Sequence, residues 1–308
     1  MSNVKRPIII DTDPGIDDAV ALAIALFAEE LDVKLLTTVA GNVSLEKVTL
    51  NTLKLLTLYN KNVPVAKGAY KPLMRPVIDA SGIHGETGMD GFDFPEPNTS
   101  LLLDKTAIEA MRDVIVGSDE KITLIGLGPL TNIANFINVY PELLDRIEEV
   151  IIMGGAVGRG NSGVYAEFNF HVDPEAASIL FNSGLKVTVA TIEPGLKALV
   201  YPEDSAKIKE MHEIGEMFYA LFSKYRGGSF NTGLKMYDSC AIAYLLAPEM
   251  FETVTTRVAV ETKGEHTAGA FLVDLRNYLD VDTEATVTLD IDEGKFKDWF
   301  LERISKCK

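Results

Sequence analysis

Short apolar runs alternate with amphipathic stretches along most of the chain. Residues 8–10 (Ile8-Ile9-Ile10) form a continuous β-branched run, the pattern of a strand buried on both faces. Pro14-Gly15 turns the chain, and from Asp18 on Val20, Leu22, Ala23, Leu26 and Phe27 fit a helix. Further strands are predicted over 33–40, closed by Gly41-Asn42, and over 63–66, 121–125, 148–153 and 186–191. Helices are predicted over 45–59 with Ser44 as N-cap, over 102–116, and over 205–225 in one piece or two. Gly128-Pro129 is expected to open another helix with proline at its first position, and Asp173-Pro174-Glu175 to start one. A short buried helix over 238–246 ends before Pro248. The stretch 69–99 is rich in Gly, Pro, His and acids and has no clear period, and a loop that long is functional or disordered. Residues 226–235 read as a flexible Gly-rich segment, and the tail over 253–289 as extra strands. With no repeat and no compositional break, the pattern predicts one α/β domain over 1–308. Its mainly parallel central sheet is flanked by helices, with extra C-terminal strands.

Composition narrows the function classes. The 308 residues carry a formal charge of −16, which argues against a nucleic-acid or anionic-membrane surface. Cys240 and Cys307 belong to no spaced metal or disulfide pattern and suggest a reducing compartment. The polar stretch 1–6, followed by only three apolar residues, does not resemble a signal peptide, and no apolar window is long enough to span a membrane. A cytoplasmic protein is the expectation.

The candidate chemistry starts where the first strand ends. Asp11, Asp13, Asp17 and Asp18 place four carboxylates within eight residues, between a strand and a helix. Ligands bind at the carboxyl ends of strands in open α/β sheets. Clustered like charges need a cation or shared protons, and all-oxygen ligation suits calcium or magnesium. Asp17 and Asp18 also suit a helix first turn, and Asp11 is expected to face away from Asp13 as an ordinary solvated acid. Polar residues recur after later strands: Asn42, then Leu127 to Asn132, then Asn161, Glu167, Asn169 and His171, with Asp238 opening a helix after a loop. Singly, each reads as a turn residue, a helix cap or a surface side chain. Together they form a set rich in carboxylates and carboxamides and poor in Lys and Arg, which suits a polyhydroxylated neutral ligand better than a phosphate.

In order along the chain, Asp11-Thr12-Asp13-Pro14-Gly15-Ile16-Asp17-Asp18-Ala19, Gly41-Asn42, Ile83-His84-Gly85-Glu86-Thr87-Gly88-Met89-Asp90-Gly91, Gly128-Pro129-Leu130-Thr131-Asn132-Ile133, Met153-Gly154-Gly155, Glu167-Phe168-Asn169, Asp173-Pro174-Glu175-Ala176 and Asp238-Ser239-Cys240-Ala241 resemble the inosine-uridine-preferring nucleoside hydrolases. The resemblance implies a single-domain α/β enzyme that hydrolyses the N-glycosidic bond of ribonucleosides with a tightly bound calcium. It implies a homodimer or homotetramer. By position, Asp13, Asp18, Asp238 and the Leu127 carbonyl would hold calcium, and Asp13 would be the general base for a water on that ion. Asp17, Asn42, Asn161, Glu167 and Asn169, with Asp238, would grip the ribose. Met153, His84, Tyr225 and Tyr237 would line the remaining pocket. Asp13, Asn169, Tyr237 and His84 would act on the reaction itself, through an oxocarbenium-like transition state. One departure stands out: the family usually has histidine before the last metal aspartate, whereas this chain has Tyr237, a weaker acid than imidazolium near neutral pH. Two rivals remain at this level. Asp11-Thr12-Asp13 after a strand also looks like a magnesium-dependent phosphatase nucleophile motif, although no lysine accompanies it. A non-catalytic nucleoside- or calcium-binding protein would keep the same ligand groups.

Overall fold

The computed structural model describes residues 5–308. Residues 1–4, part of the polar stretch whose pattern argues against an export signal, lie outside the described residues. Strand β1 (Arg6–Thr12) runs through the middle of a ten-stranded sheet. In chain order follow β2 (Leu31–Thr38), β3 (Val65–Lys67), β4 (Leu102–Thr106), β5 (Ile122–Gly126), β6 (Ile147–Met153) and β7 (Val187–Ala190). Then come β8 (Leu199–Val200), β9 (Gly228–Ser229), β10 (Gly233–Lys235), β11 (Phe251–Val260), β12 (Phe271–Val273) and β13 (Glu284–Ile291). The sheet order is β12-β11-β13-β7-β6-β5-β1-β2-β3-β4. Pairing is parallel from β4 to β13, and β11 runs antiparallel to both β13 and β12. This is the mainly parallel sheet with added C-terminal strands that the pattern predicts.

Alternation along the strands explains the layers. Ile8 and Ile10 enter one core with helices Ile16–Phe27 and Tyr237–Leu246, while Ile9 enters the opposite core with helices Ala107–Gly117 and Thr131–Val139. Helix Ile16–Phe27 is apolar nearly all round, and its first ten residues are buried. From β1 the chain moves outward through β2, β3 and β4, then returns to β5 on the other side of β1 and continues outward. The loops after β1 and β5 therefore diverge at a topological switch point, the crevice where ligands bind in such sheets. Among the described residues, no helix is long and apolar enough to cross a membrane.

Several boundaries differ from the expectation. Residues 102–106 form edge strand β4, and the helix begins only at Ala107. The cause is a capping box: Thr106 N donates to Glu109 Oε2 at 2.9 Å and Glu109 N donates to Thr106 Oγ1 at 3.4 Å. Pro129 is not the first helical residue; it precedes helix Thr131–Val139, within the loop that carries Leu127. The segment 226–235 is not structureless, since β9 and β10 form a small antiparallel sheet with β8. A C-terminal helix, Glu293–Ser305, lies beyond the predicted elements and buries Phe296, Phe300 and Ile304. Loop 69–99 is mostly irregular but contains the short helix Ser81–His84.

Asp173 ties three of these parts together. Its Oδ1 caps Ala176 N at 3.0 Å, while Oδ2 accepts from Thr131 Oγ1 at 2.6 Å and Leu73 N at 2.9 Å. Asp173→Ala leaves those donors unpaired in a fully buried place. The expected loss is about 2–4 kcal/mol of stability, read by denaturant unfolding; a loss within error would show that water replaces the carboxylate.

Candidate active site

The floor of the site is built by the turn that follows β1. Asp17 and Asp18 occupy the first turn of helix Ile16–Phe27, and Asp18 is fixed on both oxygens. Oδ1 accepts from Thr12 Oγ1 at 2.6 Å; Oδ2 accepts from Gly15 N at 3.0 Å and Asn42 Nδ2 at 3.1 Å. Asp13 Oδ2 accepts from Asn42 N at 2.7 Å, whereas Asp13 Oδ1 is buried with no hydrogen-bond partner. Single oxygens of Asp17, Asp18 and Asp238 lie within 4.8 Å of one another. Asp238 arrives on the first turn of helix Tyr237–Leu246.

Above this floor is a cavity of about 370 Å³ lined by Asp17, Asn42, His84, Leu127, Met153, Asn161, Glu167, Asn169, Tyr225, Tyr237 and Asp238. Of the residues to which the resemblance gives a site role, Asp13 and Asp18 alone do not line it; Asn42, which does, bonds to both. Asn161 is the exposed member, and its Oδ1 accepts from Phe168 N at 2.9 Å. Asn169 donates both amide hydrogens to main-chain carbonyls, of Leu127 at 2.8 Å and Met153 at 3.1 Å, so the group it can offer a ligand is its side-chain oxygen. Glu167 accepts from Asn169 N at 2.9 Å, Gly155 N at 3.1 Å and Phe170 N at 3.2 Å. Asp11 corrects the expectation of a solvated acid. It is 1% exposed, and its Oδ1 accepts from Thr37 Oγ1 at 2.5 Å and Asn132 Nδ2 at 2.7 Å. His171 does not line the cavity; its Nδ1 pairs with Ser162 Oγ at 2.7 Å.

Some lining residues are absent from the expected set, among them Ile83, Phe168, Arg226 and Lys235. Arg226 and Lys235 bring positive charge to the mouth. The sequence signal for them was position alone, at the two ends of the Gly-rich segment 226–235.

Burial governs the electrostatics. It raises Asp13 and Asp238 well above the usual carboxylate range, with the charge of Asp18 as the next cause for Asp13 and that of Asp17 for Asp238. Burial and then Asp18 raise Asp17 to about 7, and burial against backbone donors leaves Glu167 at about 7. Among the described residues, no lysine or arginine forms an ion pair with Asp13, Asp17, Asp18 or Asp238. A buried all-oxygen cluster with an unpaired carboxylate oxygen fits a hard divalent cation. Burial lowers His84 to about 4. Its Nδ1 lies 3.9 Å from Asp17 Oδ1, but accepts from Ile16 N at 3.1 Å. That bond assigns the ring proton to Nε2, so His84 is a neutral donor rather than half of an ion pair.

A family model described as inosine-uridine preferring nucleoside hydrolase matches residues 8–298. The chain belongs to that family. It is 49% identical over 302 residues to the non-specific ribonucleoside hydrolase RihC of Klebsiella pneumoniae subsp. pneumoniae, covering 98% of this chain and 99% of that one. The RihC of Salmonella typhi is 47% identical over 295 residues, covering 96% of each chain. The fold superposes with a TM-score of 0.90 on the purine-preferring ribonucleoside hydrolase from Gardnerella vaginalis, at 26% identity, covering 98% of this chain and 99% of that one. As a member of the nucleoside hydrolase family, the chain is an N-glycosyl hydrolase, and the phosphatase and non-catalytic readings fall away.

In this nucleoside hydrolase, the buried acids link stability to pH. Free carboxyls titrate near 4, so between about pH 4 and 7 the unfolded chain has released protons that Asp17 and Glu167 keep in the folded, cation-free protein. Stability contributed by raised acids is present at low pH and lost as pH rises through about 7. The melting temperature of chelated protein is therefore expected to fall as pH is raised from about 5 to about 8, and a divalent cation to cancel the fall. A flat profile in chelator would contradict the buried-acid account.

Proposed function

We propose that this pocket hydrolyses the N-glycosidic bond of ribonucleosides with calcium held by Asp13, Asp18, Asp238 and the main-chain carbonyl of Leu127. The carrying observation is the buried trio of Asp17, Asp18 and Asp238, with Asp13 bonded to the same Asn42 as Asp18, beside a cavity walled by carboxylates and carboxamides. When bound, the cation lowers the pKa of water and balances the clustered charge. Asp13 is the general base: Asn42 N fixes Oδ2, and Oδ1 takes the proton from the attacking water. The water oxygen bonds to C1′ of the ribose as the C1′–N bond breaks and its electron pair leaves with the nucleobase.

Asp17, Asn42, Asn161, Glu167 and Asn169, with Asp238, bind the ribose hydroxyls. The oxygen of Asn169, its amide hydrogens already committed to Leu127 and Met153, stabilises positive charge developing on the sugar. Met153, His84, Tyr225 and Tyr237 surround the base. His84 donates from Nε2 as a neutral ring. Burial pushes the Tyr237 and Tyr225 hydroxyls upward, so neither is an ionising acid: Tyr237 acts as a hydrogen-bond donor and stacking surface, while Tyr225, whose hydroxyl donates to Lys235 O at 3.1 Å, offers its ring face. Leaving-group help is therefore hydrogen bonding, and most of the rate comes from activating water and ribose. We further propose a cytoplasmic homodimer or homotetramer acting in nucleoside salvage.

The test is free ribose released from inosine, uridine, cytidine, adenosine and 2′-deoxyinosine, with calcium and after chelation. Release from the ribonucleosides is expected to require the metal, and 2′-deoxyinosine to react about 10⁴-fold more slowly because buried polar groups lose their hydroxyl partner. Asp13→Asn is expected to lower kcat by about 10²–10⁴-fold. No ribose from any of them, with folded and metal-loaded protein, would overturn the reading. Tyr237→Phe is the companion measurement: inosine turnover equal to wild type would assign Tyr237 to stacking alone.

A further inference from the structure

Tyr237 lies against Gly195, a contact that neither residue's immediate sequence announces. A β-carbon built on Gly195 would stand 2.1 Å from Cδ1, 2.7 Å from Cε1 and 3.2 Å from Cγ of the Tyr237 ring. No side chain fits between them. Gly195 has no left-handed backbone conformation, so backbone strain does not explain the glycine. Its smallness serves the ring.

Both sides of this contact are anchored. Gly195 ends the short helix Ile192–Gly195, whose Ile192 N donates to Gly155 O at 3.1 Å. Glu193 Oε1 accepts from Val157 N and Gly158 N, each at 2.9 Å, tying this turn to the loop that carries Asn161. The preceding Thr191 is bonded to Thr288 through N at 3.1 Å and Oγ1 at 2.6 Å. On the other side, Met236 N donates to Ala198 O at 3.0 Å, fixing the backbone just before Tyr237. A methyl group at 195 therefore cannot be relieved by sliding either backbone. The ring moves instead, and it borders the cavity.

We propose that Gly195 is a specificity-determining position: by leaving room for the Tyr237 ring, it sets how large a nucleobase the pocket accepts. The inference rests on the functional reading above, in which Tyr237 borders the base. Gly195→Ala pushes the ring into the base compartment and penalises a two-ring purine more than a one-ring pyrimidine. The three atoms nearest to a β-carbon at 195 all belong to the Tyr237 ring, so the effect is expected on base choice.

The experiment measures kcat/KM for inosine and uridine in wild type, Gly195→Ala, Tyr237→Ala and the double variant, all with calcium, with melting temperatures alongside. Gly195→Ala is expected to lower the inosine-to-uridine ratio by about tenfold, and by less than about twofold when Tyr237 is already alanine. An unchanged ratio, or a shift that persists fully in the Tyr237→Ala background, overturns the proposal. If Gly195→Ala alone does not fold, Gly195→Ala with Tyr237→Leu is compared with Tyr237→Leu alone: restored folding with an inosine-to-uridine ratio within about twofold of Tyr237→Leu supports the proposal, whereas a fold still lost, or a ratio shifted with the ring already gone, overturns it. Wild-type protein that releases no ribose from either nucleoside would instead refute the functional reading.

Discussion

Everything at the site follows from carboxylates forced together out of water. Asp13, Asp17, Asp18 and Asp238 are each no more than 5% exposed and meet at the end of the central strand, with no lysine or arginine among the described residues paired to them. In a hydrophobic sheet such an arrangement is costly unless protons or a cation offset it. The surrounding hydrogen bonds read as the means of holding it. Thr12, Gly15 and Asn42 orient Asp18, Asn42 also grips Asp13, and one oxygen of Asp13 is left over. That oxygen is open to a ligand, as is Oδ2 of the neighbouring Asp11 among the described residues.

The fold makes this possible by its winding. Because β1 is flanked by β2 and β5, the chain leaves it in one direction and returns on the other, and the loops on either side part to form the crevice. Asn42 comes from the loop after β2, Leu127 from the loop after β5, and Asn161, Glu167 and Asn169 from the segment after β6. All of them follow the carboxyl ends of neighbouring parallel strands, so residues far apart in sequence share one cavity. The neutral ring of His84 closes the circle, since its bond to Ile16 N joins loop 69–99 to the helix that carries Asp17 and Asp18.

Much of this was legible in the sequence, for identifiable reasons. Buried parallel strands are continuous apolar runs, and acids placed directly after one have few uses other than a site, so β1 and its carboxylates stood out. The ordered motifs then carried the rest of the ligand set. What escaped was local or steric. The capping box of Thr106 and Glu109 converts the start of an apparent helix into edge strand β4, and the i, i+4 pattern of Phe296, Phe300 and Ile304 marks a helix that the β-rich tail obscured. Asp11 was misjudged because β1 is covered on both faces, so an acid within it is buried whichever way it points, and because its partners Thr37 and Asn132 come from distant segments. The contact of Gly195 with Tyr237 cannot be read from spacing at all; it exists only once two loops pack.

The origin of Asp238 has a consequence for how the molecule comes into being. Asp17 and Asp18 emerge at the start of the chain, whereas their partner is supplied from its last third, after the sheet from β1 to β7 has been laid down. A chain still being synthesised, or folded only through its first half, holds an incomplete acid cluster and a weak cation site. A metal that binds only the completed cluster stabilises only the finished fold, so its binding energy discriminates against truncated and half-folded species. On the calcium reading proposed above, cation binding thus doubles as a check on completeness.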